Sequence, residues 1–236
     1  MTAASGPEAG APPTLLLRDL AHSYGDFIAL APLSLDFGAG ELVALVGPNG
    51  AGKTTLLTMI AGLLEPTHGA VEVAGARAGT IAARAATSYL PDTPVFYDDL
   101  SLNEHLQYVA GLHGVRDEGG EASKLLERFD LEGWGDSFPS EFSRGMRQKA
   151  SIALGLIRPF SVLLADEPFD GLDAPSRVGL FEILSETRAG GATVIVSTHR
   201  REVIEASSRC VALVDGTLAY DGPADADAVF ELFDSA

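Results

Sequence analysis

The sequence predicts an α/β fold in which a mostly parallel sheet is wrapped by helices and interrupted by an all-helical insertion. Three observations carry this prediction. Short apolar runs of buried-strand type lie at residues 41–46, 161–165, 192–197 and 209–214. Helical periodicity follows the first run, and a helix opening near Pro175 separates the second from the third. Between residues 92 and 159 the strand texture gives way to three successive helical patterns.

Taken in order, residues 1–13 are rich in Ala, Gly and Pro. They lack the basic start and apolar middle of a signal peptide and read as a disordered leader. Residues 15–24 alternate weakly and predict a strand, and residues 33–37 predict a second. Gly38-Ala39-Gly40 is a turn into the strand at 41–46. After a glycine-rich loop, Leu56, Leu57, Ile60, Leu63 and Leu64 recur at helical spacing until Pro66, His68 and Gly69 break the pattern. Strands are expected at 70–73 and 87–90. Ser101 and Glu104 form a capping box that opens a helix to about His113. A second helix covers 121–131, and a third runs from near Ser143 to about Ile157, just before Pro159. Pro175 suits the first turn of a helix, and Asp215-Gly216 between apolar runs is a hairpin turn.

The 236 residues suffice for one large domain or two small ones, with a substantial core. The formal charge of −17 argues against nucleic acid as the main partner, because binders of phosphate backbones carry a basic surplus. The single cysteine, Cys210, lies in an apolar strand and reads as a structural thiol in a reducing compartment. No apolar run approaches the roughly 18 residues that span a bilayer. A soluble cytoplasmic chain is therefore expected, with any membrane role supplied by a partner.

Gly47-Pro48-Asn49-Gly50-Ala51-Gly52-Lys53-Thr54 matches the phosphate-loop pattern G-x-x-x-x-G-K-[ST] in full. Its glycines let successive N–H groups point at one anion, and the following helix adds its positive N-terminal end. Lys53 reaches the β- and γ-phosphates, Thr54 offers a hydroxyl to Mg²⁺, and Thr55 continues the nucleotide-binding run. The apolar strand Val162-Leu163-Leu164-Ala165 ends in Asp166 and Glu167. Ligands of such sheets lie beyond the carboxyl ends of the strands. Asp166 is thus placed to hold Mg²⁺, and Glu167 to orient or deprotonate the attacking water. Val194-Ile195-Val196 leads to His199, which is placed to hydrogen-bond the γ-phosphate.

From about Leu15 to Gly222 the chain resembles the ABC transporter ATPase family. The marker is Phe142-Ser143-Arg144-Gly145-Met146-Arg147-Gln148-Lys149, which stands where that family has its signature. Pro168-Phe169-Asp170-Gly171-Leu172-Asp173 resembles the family's D-loop, and Tyr24 its adenine-stacking aromatic. The resemblance implies a P-loop NTPase core with an N-terminal antiparallel β subdomain and an α-helical subdomain. The single ATPase domain spans 14–222, with 14–91 and 160–222 as core, 92–159 as helical subdomain, and 223–236 as a short helical tail. It implies ATP and Mg²⁺ as cofactors and a homodimer, or a pair with a related cassette. In that dimer Ser143, Arg144, Gly145 and Asp173 reach the other copy's nucleotide. It also implies an integral membrane subunit as partner and a peripheral place at the inner face of the membrane.

Two departures stand out. Arg144 and Met146 replace the usual first glycine and the glutamine of the signature, with Ser143 and Gly145 kept, and Asp92 stands where a metal-sensing glutamine is usual. Both resemble prokaryotic cassettes that pair with separate membrane subunits, mostly exporters. Val95, Phe96, Tyr97, Leu100 and Leu102 follow Asp92 and supply apolar anchors for a docked helix, with Phe96 or Tyr97 as the expected contact.

Overall fold

A computed structural model of the chain describes residues 14–116 and 120–234. The expected leader at 1–13 lies outside the described residues, as do 117–119 and 235–236. Strands β1 (Leu15–Tyr24) and β2 (Phe27–Phe37) form a hairpin. β2 starts six residues before the apolar pattern at 33–37 because the chain stays extended through Pro32. β2 is the edge of its sheet, where a residue without an N–H is tolerated.

β3 (Leu42–Val46) is buried at every position and runs into the glycine loop and α1 (Lys53–Ile60). α1 stops before Leu63 and Leu64, because Gly62 turns left-handed at φ 69°. The Leu63 N–H returns to the Thr58 carbonyl and closes the helix end. β4 (His68–Val73) and β5 (Ala76–Arg77) complete an antiparallel sheet in the order β2-β1-β4-β5. α2 (Ile81–Ala86) precedes β6 (Thr87–Leu90). Its six residues are too few to carry a helical repeat that sequence periodicity detects.

The helical block begins with α3 (Leu102–Leu112), where Ser101 and Glu104 make both capping-box bonds. α4 (Glu121–Arg128) ends short of the expected Leu131, and a tight turn at Glu132–Trp134 follows. α5 (Arg144–Leu156) opens on Ser143. Then come β7 (Val162–Asp166), α6 (Ala174–Ala189), β8 (Thr193–Ser197), α7 (Arg201–Ala206), β9 (Arg209–Val214), β10 (Thr217–Gly222) and α8 (Ala226–Asp234). Asp215 and Gly216 both take positive φ, 47° and 73°, as the hairpin pair predicts.

The second sheet has the order β10-β9-β3-β8-β7-β6 and is parallel except for β10. β3 is therefore flanked by β8 and β9, so the carboxyl ends of β3, β7 and β8 meet along one edge. One core joins α1 and the antiparallel sheet to one face of the parallel sheet, through Leu57, Leu45 and Ile195. A second packs α3, α5 and α6 on the other face, through Leu106, Ile152 and Leu180. Cys210 is fully buried in the third, beneath α7 and α8. Burial, with the nearby Asp221 charge adding to it, pushes its thiol up to about 12. The thiol is thus unreactive, in keeping with a structural role. Among the described residues no helix is long and apolar enough to cross a membrane.

Candidate nucleotide-binding site

At the end of β3 the chain curls from Gly47 to Gly52 and enters α1. The Lys53 ammonium is nearly buried and donates to the Gly47 carbonyl at 2.7 Å and the Pro48 carbonyl at 3.3 Å. It therefore closes the loop upon itself and keeps a cation where phosphates would sit. The Thr54 hydroxyl donates to Asp166 Oδ2 at 2.6 Å, tying the loop to the end of β7. Tyr24 and Phe27 form an apolar wall over loop residues 49–55. With Asp92, Asp166 and Glu167 they enclose a cleft of about 360 Å³. A second cleft of about 520 Å³ contains Gly47, Pro48, Lys53, Glu167, Asp170 and His199. Asp92 and Asn49 line both clefts.

The acids at the end of β7 are held differently. Asp166 is 2% exposed, and both its oxygens receive hydroxyls, one from Thr54 and one from Ser197. Ser197 lies opposite Asp166 in the β7–β8 register. Its oxygen also accepts the Glu167 N–H at 2.8 Å. Glu167 is a non-glycine residue at φ 45°, a left-handed backbone that costs of order 1–3 kcal/mol and tends to cluster at active sites. Burial raises the Glu167 carboxyl above the usual carboxylate range, and the nearby charges of His199 and Lys53 only partly offset this. His199 Nδ1 lies 3.1 Å from Glu167 Oε2. Glu167, Asp170 and His199 bring their ligand atoms within 4.8 Å of one another.

Ser197 was not foreseen from the sequence, and neither were Phe27 or Asp170 at the cleft. The only trace of Ser197 is the switch from Val196 to polar residues at a strand end. Its task depends on cross-strand register, which periodicity does not reveal. Replacing it with alanine takes the hydroxyl donor from Asp166 Oδ1 and the acceptor from the Glu167 N–H, and leaves polar atoms unpaired. That should cost about 1–3 kcal/mol. Ser197→Ala is expected to lower both the melting temperature and kcat, while Ser197→Thr retains most of each. Thermal unfolding and steady-state phosphate release measure the pair.

The signature residues stand apart. Ser143 caps α5, accepting the Met146 N–H at 3.3 Å, and neither Ser143 nor Gly145 lines either cleft. Gly145 sits so close to the chain after Glu167 that a Cβ there would lie 2.7 Å from the Gly171 carbonyl oxygen. Arg144 lies along Gly171 and, although exposed, lines the second cleft of its own chain together with Asp92 and Glu167. Asp173 is the N-cap of α6, accepting the Ser176 N–H at 2.9 Å, and lines neither cleft. Its bonds from Ser176 hold that carboxyl below the ordinary range. Leu102 is fully buried in the helical core and offers nothing to a partner, whereas Tyr97 is 55% exposed and Val95 88%.

A strand, a self-closed phosphate loop and a hydroxyl-bound acid beside a glutamate–histidine pair mark a P-loop nucleoside triphosphatase. The ABC transporter family profile matches residues 30–170. The chain is 36% identical to the ABC-type transporter ATP-binding protein EcsA of Bacillus subtilis, over 78% of this chain and 76% of that protein. It is 34% identical to the SkfA peptide export ATP-binding protein SkfE of the same organism, over 87% of each. A third relative, the aliphatic sulfonates import ATP-binding protein SsuB 1 of Rhodococcus jostii, is 35% identical over 87% of this chain and 81% of that protein. A solved ATP-binding subunit of an ABC transporter superposes with a TM-score of 0.84 at 35% identity, covering 94% of this chain and 93% of that one. A dimeric bacterial ABC transporter cassette gives 0.82 at 24% identity, covering 89% and 99%. The chain belongs to the ABC transporter family: it is an ATP-binding, ATP-hydrolysing subunit of that class.

Proposed function

We propose that the chain is the motor of an exporter, in which two copies close head to tail over ATP and drive a separate membrane subunit. One observation carries this reading. Lys53, Thr54, Asp166, Glu167 and His199 converge on adjoining clefts, while Ser143 and Gly145 at the start of α5 line neither of them. One copy holds half of a phosphate cage, and a second copy supplies the other half. The likeness to a dimeric cassette supports the pairing. The likeness to SkfE supports export, together with Asp92, Arg144 and Met146. The match to SsuB 1 extends over a comparable share of the chain, so direction rests on those three residues.

The roles follow from position. Tyr24 stacks on adenine. Gly47, Pro48, Asn49, Gly50, Ala51, Gly52, Lys53, Thr54 and Thr55 hold the phosphates. Glu167 accepts the proton of the attacking water, and His199 contacts the γ-phosphate. Ser143, Arg144, Gly145 and Asp173 reach the partner copy's nucleotide, with Asp173 released from or shared with its cap. Thr54, Asp166 and Asp92 hold Mg²⁺. The donor set fits that ion: hard oxygens from a hydroxyl and one or two acids, with a nearly buried carboxylate bonded only to hydroxyls among the described residues. Mg²⁺ when bound neutralises developing charge on the β- and γ-phosphates. The working unit is one cassette at 14–222, with its helical subdomain at 92–159.

The loop after Asp92 is organised for docking. The Tyr97 N–H donates to His105 Nε2 at 2.9 Å, and His105 Nδ1 donates to the Ser101 carbonyl at 2.8 Å. The imidazole ring stacks on Tyr97 and meets Phe96 edge-on. Phe96 packs inward, leaving Tyr97 and Val95 as the apolar faces offered to a membrane subunit. Tagged chain purified from solubilised membranes of its own cells should bring down an integral membrane protein. Tyr97→Asp should lose that protein while ATP binding holds; a variant that keeps it rejects the docking site.

A further inference from the structure

We infer that His22 is a positioning residue for the base-binding end of the site, holding the Tyr24 ring ready for adenine. The inference rests on the reading of Tyr24 as the stacking aromatic. His22 and Tyr24 are two apart on β1, so they share a side of the strand. Their ring centroids are 4.5 Å apart with the planes at 75°, an edge-to-face contact. His22 is 6% exposed and Tyr24 54%, so one ring is anchored in the sheet and the other stands in the cleft. Both ring nitrogens of His22 are buried with no hydrogen-bond partner among the described residues. Folds seldom keep such a group without a task, since an aliphatic side chain fills the space at lower cost.

The backbone beside the pair is shaped to the same end. β1 pairs His22 with Leu30 but Ser23 with Ile28, a slip of register that leaves Ala29 as an extra residue. A bulge of this kind increases local twist and re-aims neighbouring side chains. Ala29 is buried and lines the same cleft as Tyr24. A tyrosine at an exposed strand end would otherwise sample several rotamers and lose that freedom when it bound a base. The imidazole orders the ring beforehand, which raises affinity without a new contact to the ligand. His22 itself touches no nucleotide in this arrangement.

Four variants and two ligands test this. ATP and inorganic tripolyphosphate are titrated calorimetrically into the wild type, His22→Leu, His22→Phe, Tyr24→Ala and the double variant His22→Leu/Tyr24→Ala. Leucine preserves apolar bulk, and phenylalanine preserves the aromatic edge. His22→Leu should weaken ATP about 3- to 10-fold, the range of an aromatic pair, while tripolyphosphate affinity stays level. His22→Phe should restore ATP affinity, and His22→Leu should add nothing once Tyr24 is alanine. If Tyr24→Ala weakens ATP but His22→Leu alone does not, the positioning role is overturned and the stacking reading stands. If Tyr24→Ala leaves ATP affinity unchanged, the stacking reading itself fails. An equal loss for both ligands, or a further loss in the double variant, means His22 only supports the strand, and the inference falls.

Discussion

Glu167→Gln should reduce ATP turnover about 10²- to 10⁴-fold while leaving ATP affinity intact. The substitution keeps side-chain size and the N–H bond to Ser197 but removes the group that accepts a proton. Its binding machinery, Lys53 and the loop, is untouched. ATP that is bound and not cleaved should then hold two copies together. Size-exclusion with Mg-ATP should show a dimer for Glu167→Gln and mainly monomer for the wild type after turnover. The pH profile of the wild type carries the same signature. Burial raises the Glu167 carboxyl, and the base works only when ionised. Activity is therefore lost, as pH falls, at a higher pH than an exposed glutamate would give. A wild-type profile with its acid limb at the ordinary carboxylate value would remove Glu167 from the role of base.

Gly47→Ala should abolish nucleotide binding and lower the melting temperature. A Cβ at that position would lie 2.3 Å from the backbone oxygen of Leu213 and 3.0 Å from the Ala51 Cβ. Neither β9 nor the loop can yield easily, because β9 is hydrogen-bonded to β3 in the middle of the sheet. Overpacking of this sort costs about 1–3 kcal/mol, and each kcal/mol lowers the melting temperature by about 2–4 °C in a domain of this size. Gly50 provides the contrast. A Cβ there meets nothing within 4 Å, although φ is 83°. Gly50→Ala should therefore lose binding through backbone conformation with a smaller thermal effect. Equal melting points for the two variants would show that contact with Leu213 is not what demands glycine at 47.

Most of the core was legible because its signals are local. The apolar run at 41–46, the loop to Thr54 and the acids after Ala165 each sit within a few residues, and the structure places them as strand, turn and strand end. The Ser101–Glu104 cap and the Asp215-Gly216 turn formed as written. What escaped depends on contacts between distant segments. β2 begins at Phe27 because an edge strand tolerates Pro32, and α1 ends at Ile60 because Gly62 turns the chain. Ser197 reaches Asp166 only through the pairing of β7 with β8. Leu102 looked like a surface anchor because its neighbours are apolar, but α3 turns it into the core. For the site, residue types pointed to the loop, the two acids and His199, which the structure gathers around adjoining clefts. Residue types did not show that Asp173 caps α6 or that Arg144 lines its own cleft.

The backbone twist at Glu167 sets endurance and turnover in opposition at a single position. Glycine would sit there without protest, yet glycine carries no carboxylate. Lineages selected only to survive heat would drift toward that silent residue. An acid on so uncomfortable a stretch of chain places a carboxylate beside His199 at the expense of backbone ease.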